Sequence, residues 1–474
     1  MRKRKLLLAA GACLATVSLS VGSALADPAT TPRNLNGTGS DTTQGVMNAL
    51  SKVVAINNVP QIASWDAATA TGQTFDTGKA GCNSVARPSG SNNGIIALVN
   101  ARNANPPTHC LQFARSSTDN HTAHVGDHLT YIPFATDAVS YATTETSQIN
   151  RNLSVGTLLK IYTCDSSIPA NTFEPLLPQS GSGTRKFFLE NILHVPGGDV
   201  STYTTDHPCV KDSLNGVPLL ENTGNLLQDD KQIEPYAISS WIAQTTKNVP
   251  DAHGFTILGN VAGVASLTPN NQTVTYATTE TSQINRNLST STLSKIYSCD
   301  PSIPANTFEP LLPQSGSATR TAFMSKLGLA DSTNYTSTHT CVKDSLNGNP
   351  LPENAGNLLQ NDKQILPYSI SAWIVQTTKS VSDAHGFTVL GNIDSKPALS
   401  LNNSANTRPV FNVLPNVLVA SGPNSKAVFV GSGSLVCSNA TTIQQQGFAT
   451  RNDCGDTSIQ SDSSTGSDTV GTGE

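Results

Sequence analysis

The sequence predicts an α/β fold, and three observations carry the prediction. Helical faces alternate with short strand-like runs, the signature of layered α/β packing. Three loops rich in Gly, Ser and Thr each stand directly before a helical pattern. A length of 474 residues gives room for two to four domain-sized units.

Taken in order, Val46, Leu50 and Val53 mark one face of a helix that follows the loop Gly37 to Thr43. Ile95 to Val99 reads as a strand or, equally, as a helix opened by the Gly-rich loop before it. Leu129 to Phe134 is a strand-like run. Leu158, Ile161 and Tyr162 mark a second helical face, which returns as Leu293, Ile296 and Tyr297. Val410 to Val419 is a further strand-like run, broken by Pro415.

Residues 1–26 read as a secretory signal: basic Arg2 to Lys5, an apolar stretch from Leu6 to Val21, then Ala24-Leu25-Ala26 before Asp27. Ala10-Gly11-Ala12 ahead of Cys13 is a poor lipoprotein box, so the expectation is an exported, untethered chain, extracellular or associated with the cell wall. Charged residues make up only 13% of the sequence, about half the usual share. Without the basic leader the balance is 24 basic against 33 acidic residues, which argues against a nucleic-acid footprint.

The chain is organised by a repeat. Tyr141 to Ser154, YATTETSQINRNLS, recurs letter for letter as Tyr276 to Ser289, and Ser167 to Ser182 recurs as Ser302 to Ser317. Trp241 and DAHGF from Asp251 return as Trp373 and DAHGF from Asp383. The unit is far longer than a solenoid repeat of about 20–50 residues and marks a duplicated domain. The divisions that follow are a signal peptide at 1–26, an N-terminal part at 27–138, a first repeat at 139–267 and a second at 273–395. A C-terminal part covers 396–455, and 456–474 reads as an unstructured tail. The stretch 268–272 reads as a turn-rich linker.

Eight cysteines follow the leader, an even number that favours disulfides in an exported protein. Cys164 and Cys209 recur as Cys299 and Cys341. If each repeat is self-contained, those pairs close within the repeats and leave Cys82 with Cys110 and Cys437 with Cys454. No CxxC spacing occurs, so zinc is the weaker reading.

The three loops are Gly37 to Thr43, Ser89 to Gly94 and Ser180 to Arg185. Small residues let backbone N–H groups approach a ligand, hydroxyls add donors, and a helix N-terminus adds partial positive charge. The plain alternative is ordinary N-cap composition. Other motifs fail or read as structure. Gly72 to Lys79 has one residue too many for a phosphate loop and is followed by Ala80. No GxSxG elbow is present. His121, His124 and His128 in HTAHVGDH read as surface residues on a loop rather than metal ligands, and Trp65, Trp241 and Trp373 as core.

The strings GTGSDTTQGVMNAL, SGSNNGI, LQFARSSTD, IPFATDAVSYA, NLSVGTLLKIY, PQSGSGTRKFF, RPVFNVLP and FVGSGSLVC stand in the order found in phosphate-binding proteins of ABC importers. Over nearly the whole chain after the leader, the sequence resembles the actinobacterial branch of those type II periplasmic-binding-protein-like proteins, with the central lobe counted twice. The resemblance implies a two-lobed α/β fold with an extra copy of the second lobe. Lobe one is formed by both chain ends, and the lobes close on a dehydrated oxyanion. It implies ligand contacts from Ser40, Asp41 and Thr42, from Ser91, from Ser116 and Ser117, and from Ser182, Gly183 and Thr184.

Two positions depart from that family. Its arginine ahead of the GSGT motif falls at Pro178, and its proton-accepting aspartate falls near Ser117. Asp41 is the candidate substitute acceptor, and Arg115 or Arg185 the candidate charge. Their plain readings are an Asx turn and surface charge. The second repeat keeps Ser317, Thr319 and Arg320 but has Ala318 where the first has Gly183, so the first repeat is the expected closing lobe; the second lies nearer the C-terminal return and is the alternative. The implied function is that of a secreted, monomeric solute-binding protein for phosphate or a related oxyanion, with an ABC permease as candidate partner. No catalysis, cofactor or metal is implied. A cell-wall or adhesion module is the alternative, and a phosphoester hydrolase a more distant one.

Overall fold

The computed structural model describes residues 27, 32–68, 72–104, 107–249, 252–379, 381, 384–402, 406–464 and 474. The leader read as a signal peptide lies outside them. The chain folds as a mixed α/β structure built around one long strand, Leu129–Thr144. Nearly all of that strand is buried, because its sheet is covered on both faces.

Residues 129–138 of the long strand pair antiparallel with Thr407–Pro415. Residues 139–142 pair with Gln232–Ala237, and 142–144 with Thr256–Leu258. The strand therefore begins in the terminal lobe and ends in the first repeat. Across the eight-stranded sheet the order is Glu174–Pro175, Gln232–Ala237, Leu129–Thr144, Thr407–Pro415, Phe113–Ser116, Leu35–Gly39 and Ile62–Ser64, with Thr256–Leu258 also on the long strand. The last three of that order run parallel, and the return strand Thr407–Pro415 closes lobe one from the C-terminal side. Helix Gln44–Val53 buries Val46, Met47 and Leu50 with Phe113, Ile132 and Leu414. A second apolar cluster of lobe one gathers Trp65, Ile95 and Leu98 with Tyr131 and Phe411.

Three sequence readings are resolved or corrected. Ile95 to Val99 is helical, inside Ser91–Asn103. The run from Val410 is not one strand: it ends at Pro415, which lacks an N–H for the ladder, and Asn416–Ser421 is a helix. Residues 456–464, read as part of an unstructured tail, are packed along lobe one. Tyr131 N donates to Ile459 O at 2.8 Å and Ser461 N to Leu129 O at 2.8 Å, while His128 Nδ1 meets Asp462 Oδ1 at 2.6 Å. Backbone pairing with the long strand repays an ordering cost that side-chain composition alone could not.

The disulfides are Cys82–Cys110, Cys164–Cys209, Cys299–Cys341 and Cys437–Cys454. Among the described residues no helix is long and apolar enough to cross a membrane.

The second repeat has its own four-stranded sheet, ordered Glu309–Pro310, Gln364–Ser369, Val274–Thr279 and Thr388–Leu390. The stretch read as a turn-rich linker, 268–272, begins inside a strand and only its later residues turn: Leu267–Pro269 pairs with Leu399–Leu401, so the entrance and exit of the second repeat run side by side. The repeats meet reciprocally. Arg151 Nη1 donates to Thr377 O at 2.7 Å, and Arg286 Nη1 returns the bond to Thr245 O. Lys247 reaches Ser282 O at 3.1 Å, and Lys379 reaches Ser147 O at 3.0 Å. Trp241 and Trp373 face each other with ring centroids 6.1 Å apart. Such exchange of contacts is the arrangement of an isologous dimer, here within one chain.

Candidate functional site

The site forms where loops of lobe one meet the first repeat. Strand Leu35–Gly39 ends at Gly39 with φ +129°, where an added Cβ would lie 2.6 Å from Arg115 O; only glycine suits that turn. The chain then delivers Ser40 to Thr43 to the start of helix Gln44–Val53. Gly90, at φ +90°, opens helix Ser91–Asn103, and a Cβ there would lie 2.6 Å from Gly181 O of the repeat. Ser182 caps the next helical turn by accepting from Arg185 N at 3.1 Å.

Thr42 and Thr184 are joined at 3.2 Å between their hydroxyl oxygens. Each also donates to the same carboxylate oxygen, Glu221 Oε2, at 2.6 Å. The Asn222 amide adds a bond to Thr42 at 3.2 Å. Glu221 is 3% exposed, and its Oε1 has no hydrogen-bond partner among the described residues. The cradle thus holds an anionic oxygen supplied by the protein itself.

Positive charge comes from Arg408 on the return strand. Its Nη2 donates to Thr184 Oγ1 at 3.0 Å and to Asp137 Oδ2 at 2.8 Å, and Nε donates to the same Asp137 oxygen at 3.1 Å. Both residues are buried, and Arg408 Nη1 has no partner among the described residues. Asp137 holds the guanidinium in place and leaves its Nη1 amino group uncommitted among the described residues.

The other predicted residues divide. Ser91 and Ser117 lie in the same contact zone, with Oγ atoms 3.2 Å apart and Ser117 N donating to Ser91 Oγ at 3.0 Å. Gly183 is seated against them: an added Cβ would lie 2.2 Å from Ser117 Oγ and 2.6 Å from Ser91 Oγ. Ser40 Oγ is buried without a partner among the described residues. Ser116 turns away and donates to Thr118 O at 2.7 Å. Asp41 accepts from Ser89 Oγ at 3.1 Å. Burial first, and then the nearby Glu221 carboxylate, hold the Asp41 carboxyl well above the usual range. Asp41, Thr42 and Glu221 all line a cavity of about 380 Å³ between helix Gln44–Val53 and the segment around Leu220 to Thr223.

Both arginines proposed as the missing charge are committed elsewhere. Arg115 donates to Ser40 O, Ser64 Oγ and Trp65 O at 3.2, 2.9 and 2.7 Å, and burial pulls its guanidinium down to about 10. Arg185 donates to Pro178 O at 3.1 Å, Val200 O at 2.9 Å and Asp212 Oδ2 at 3.3 Å. Each bonds the backbone of its own lobe, since a buried guanidinium must satisfy five donors. The surface reading fails as well, because both are fully buried. His124 is likewise no surface residue: it bonds Asp127 Oδ2 at 2.8 Å and Asn92 Oδ1 at 3.0 Å.

Sequence reasoning missed three residues of the site. Asp137 and Arg408 stand inside IPFATDAVSYA and RPVFNVLP, so the strings pointed at them without assigning a role. Glu221 belongs to no such string. In the second repeat its counterpart Glu353 is exposed and takes bonds from Ser317 Oγ at 2.6 Å and Thr319 N at 3.1 Å.

No family model matches the sequence, and no curated protein matches it. Among solved structures, an ABC-type phosphate transport receptor from Vibrio cholerae is similar at 15% identity, over 48% of this chain and 77% of that one, with a TM-score of 0.29. A phosphate-binding protein from Stenotrophomonas maltophilia is similar at 10% identity over 90% and 91%, TM-score 0.36. A human phosphate-binding apolipoprotein is similar at 12% identity over 88% and 90%, TM-score 0.35. At these identities and scores no residue of the site is assigned by likeness.

Proposed function

We propose that the chain is an exported solute-binding protein that holds phosphate or a similar oxyanion between lobe one and the first repeat, without covalent chemistry. One observation carries this reading: hydroxyls from the two lobes, Thr42 and Thr184, donate to a single anionic oxygen beside the guanidinium of Arg408. Neutral donors held by a folded backbone, with one buried cation, suit a dehydrated anion because the hydroxyls and the guanidinium already converge on one point. Ser91 and Ser117 and the uncommitted Nη1 amino group of Arg408 supply further polar groups in the same contact zone. The long strand Leu129–Thr144, shared by both lobes, is the natural element about which they open and close. Disulfides and the signal-like leader support export.

The test is calorimetric titration of the mature protein, stripped of bound anion by unfolding and refolding with its disulfides intact. Phosphate, sulfate and arsenate are titrated separately. One anion per chain is the expected result, with binding lost in Thr184→Val. Absence of heat with all three, up to millimolar concentration, overturns the reading.

A further inference from the structure

Glu221 occupies the cradle with the very donors that an incoming oxyanion needs. Its Oε2 accepts from Thr42 and Thr184 at 2.6 Å each, and a second anion cannot share those hydroxyl protons, since each hydroxyl has one to give. The sequence gives no reason for a carboxylate at this point. Glu353, at the same place in the second repeat, is exposed and bonds only within its own repeat, at Ser317 and Thr319. The difference is tertiary: the loop carrying Glu221 is pressed against Thr42 of lobe one.

We infer that Glu221 is a built-in competitor, an internal anion that must leave the cradle before phosphate or a related oxyanion is held there. The inference rests on the oxyanion reading of the site and adds its regulation. Room for the exchange is at hand, because Glu221 also lines the cavity of about 380 Å³ beside the cradle. Its Oε1 has no partner among the described residues, so the carboxylate is held through one oxygen only. The charges agree with a competition. Asp137 pairs with Arg408, so with Glu221 in place two carboxylates face one cradle cation, and a dianion added to that set meets repulsion at close range. Displacement of Glu221 exchanges one anion for another instead of adding a third. The device raises the ligand concentration at which the lobes lock and makes closure of the loop 220–223 alternate with occupancy.

The experiment compares wild type, Glu221→Gln, Glu221→Ala and the control Glu353→Ala by calorimetric titration with inorganic phosphate. Folding of each is checked by circular dichroism. The expected result is affinity at least tenfold tighter in both Glu221 variants and unchanged in Glu353→Ala. Equal or weaker binding in folded Glu221 variants overturns the inference, since it makes Glu221 inert or a ligand contact, while the oxyanion reading survives. If wild type and all variants fail to bind phosphate, sulfate or arsenate, both the reading and the inference fall. Hydrogen exchange on wild type gives an independent readout should the variants not fold. Phosphate should speed exchange at residues 220–223, and slower exchange there overturns the displacement.

Discussion

Thr42 and Thr184 are 142 residues apart in the chain, and their hydroxyl oxygens lie 3.2 Å from one another. That contact joins lobe one to the first repeat at the point where both loops present their donors. Because each hydroxyl also serves Glu221, loss of either changes the polar balance of a buried site. Thr42→Val should weaken phosphate binding about tenfold or more, in line with loss of a hydrogen bond to a charged group. Titration calorimetry checks it, and unchanged affinity would place the anion elsewhere.

Arg408→Gln should cost the site its cation and leave Asp137 buried without its partner. Breaking such a pair typically costs about 3–5 kcal/mol, so the denaturant midpoint should fall sharply. Asp137→Asn added to Arg408→Gln should recover much of that stability while anion binding stays lost. Recovery of both together would show that Arg408 acts only through the fold.

Gly183→Ala tests the seat of the first repeat. The new Cβ would be driven into Ser117 and Ser91, a crowding that typically costs about 1–3 kcal/mol. Closure should suffer, with anion affinity falling at least tenfold, whereas Ala318→Gly in the second repeat should leave affinity unchanged. The pair of variants separates the two copies of one motif by their surroundings.

The repeat interface should respond to pH. Glu145 and Glu280 are both buried, flanked by His385 at 3.9 Å and His253 at 3.5 Å. Burial pushes the Glu145 carboxyl up to about 8, with Glu280 adding to the rise against the opposing pull of the nearby His385. A carboxyl raised in the folded state keeps a proton that the unfolded chain releases. Its contribution therefore favours folding at low pH and is lost as pH climbs from about 4.5 towards 8. Glu145→Gln should flatten the thermal midpoint across pH 5–8 and raise it at pH 8. A wild-type midpoint independent of pH over that range would contradict the assignment.

Arg151→Ala and Arg286→Ala should destabilise the chain by similar amounts, about 1–3 kcal/mol each, because each removes the same bond across the reciprocal interface. Chemical denaturation measures both. A large cost at one site and none at the other would mean the repeats are not equivalent across their contact.

Much of this protein is written in its sequence. The α/β alternation and the disulfide partners follow from apolar spacing and from residues that recur along the chain. Those are local signals, and a segment expresses them wherever it sits. The loops at Ser40 to Thr42, at Ser91 and at Ser182 to Thr184 are legible for the same reason, since small polar residues before a helix are a local pattern.

Charge placement in the site is decided otherwise. Arg115 and Arg185 look available in the sequence, yet burial commits them to nearby carbonyl groups, and Arg408 reaches the cradle only because its strand pairs with residues 129–138. Glu221 and Glu353 make the point most directly. Both occupy the same place in the repeat, but only Glu221 has lobe one against it, so only Glu221 meets Thr42. A side chain's partners depend on what the chain folds over it, and that arrangement is a property of the whole tertiary structure.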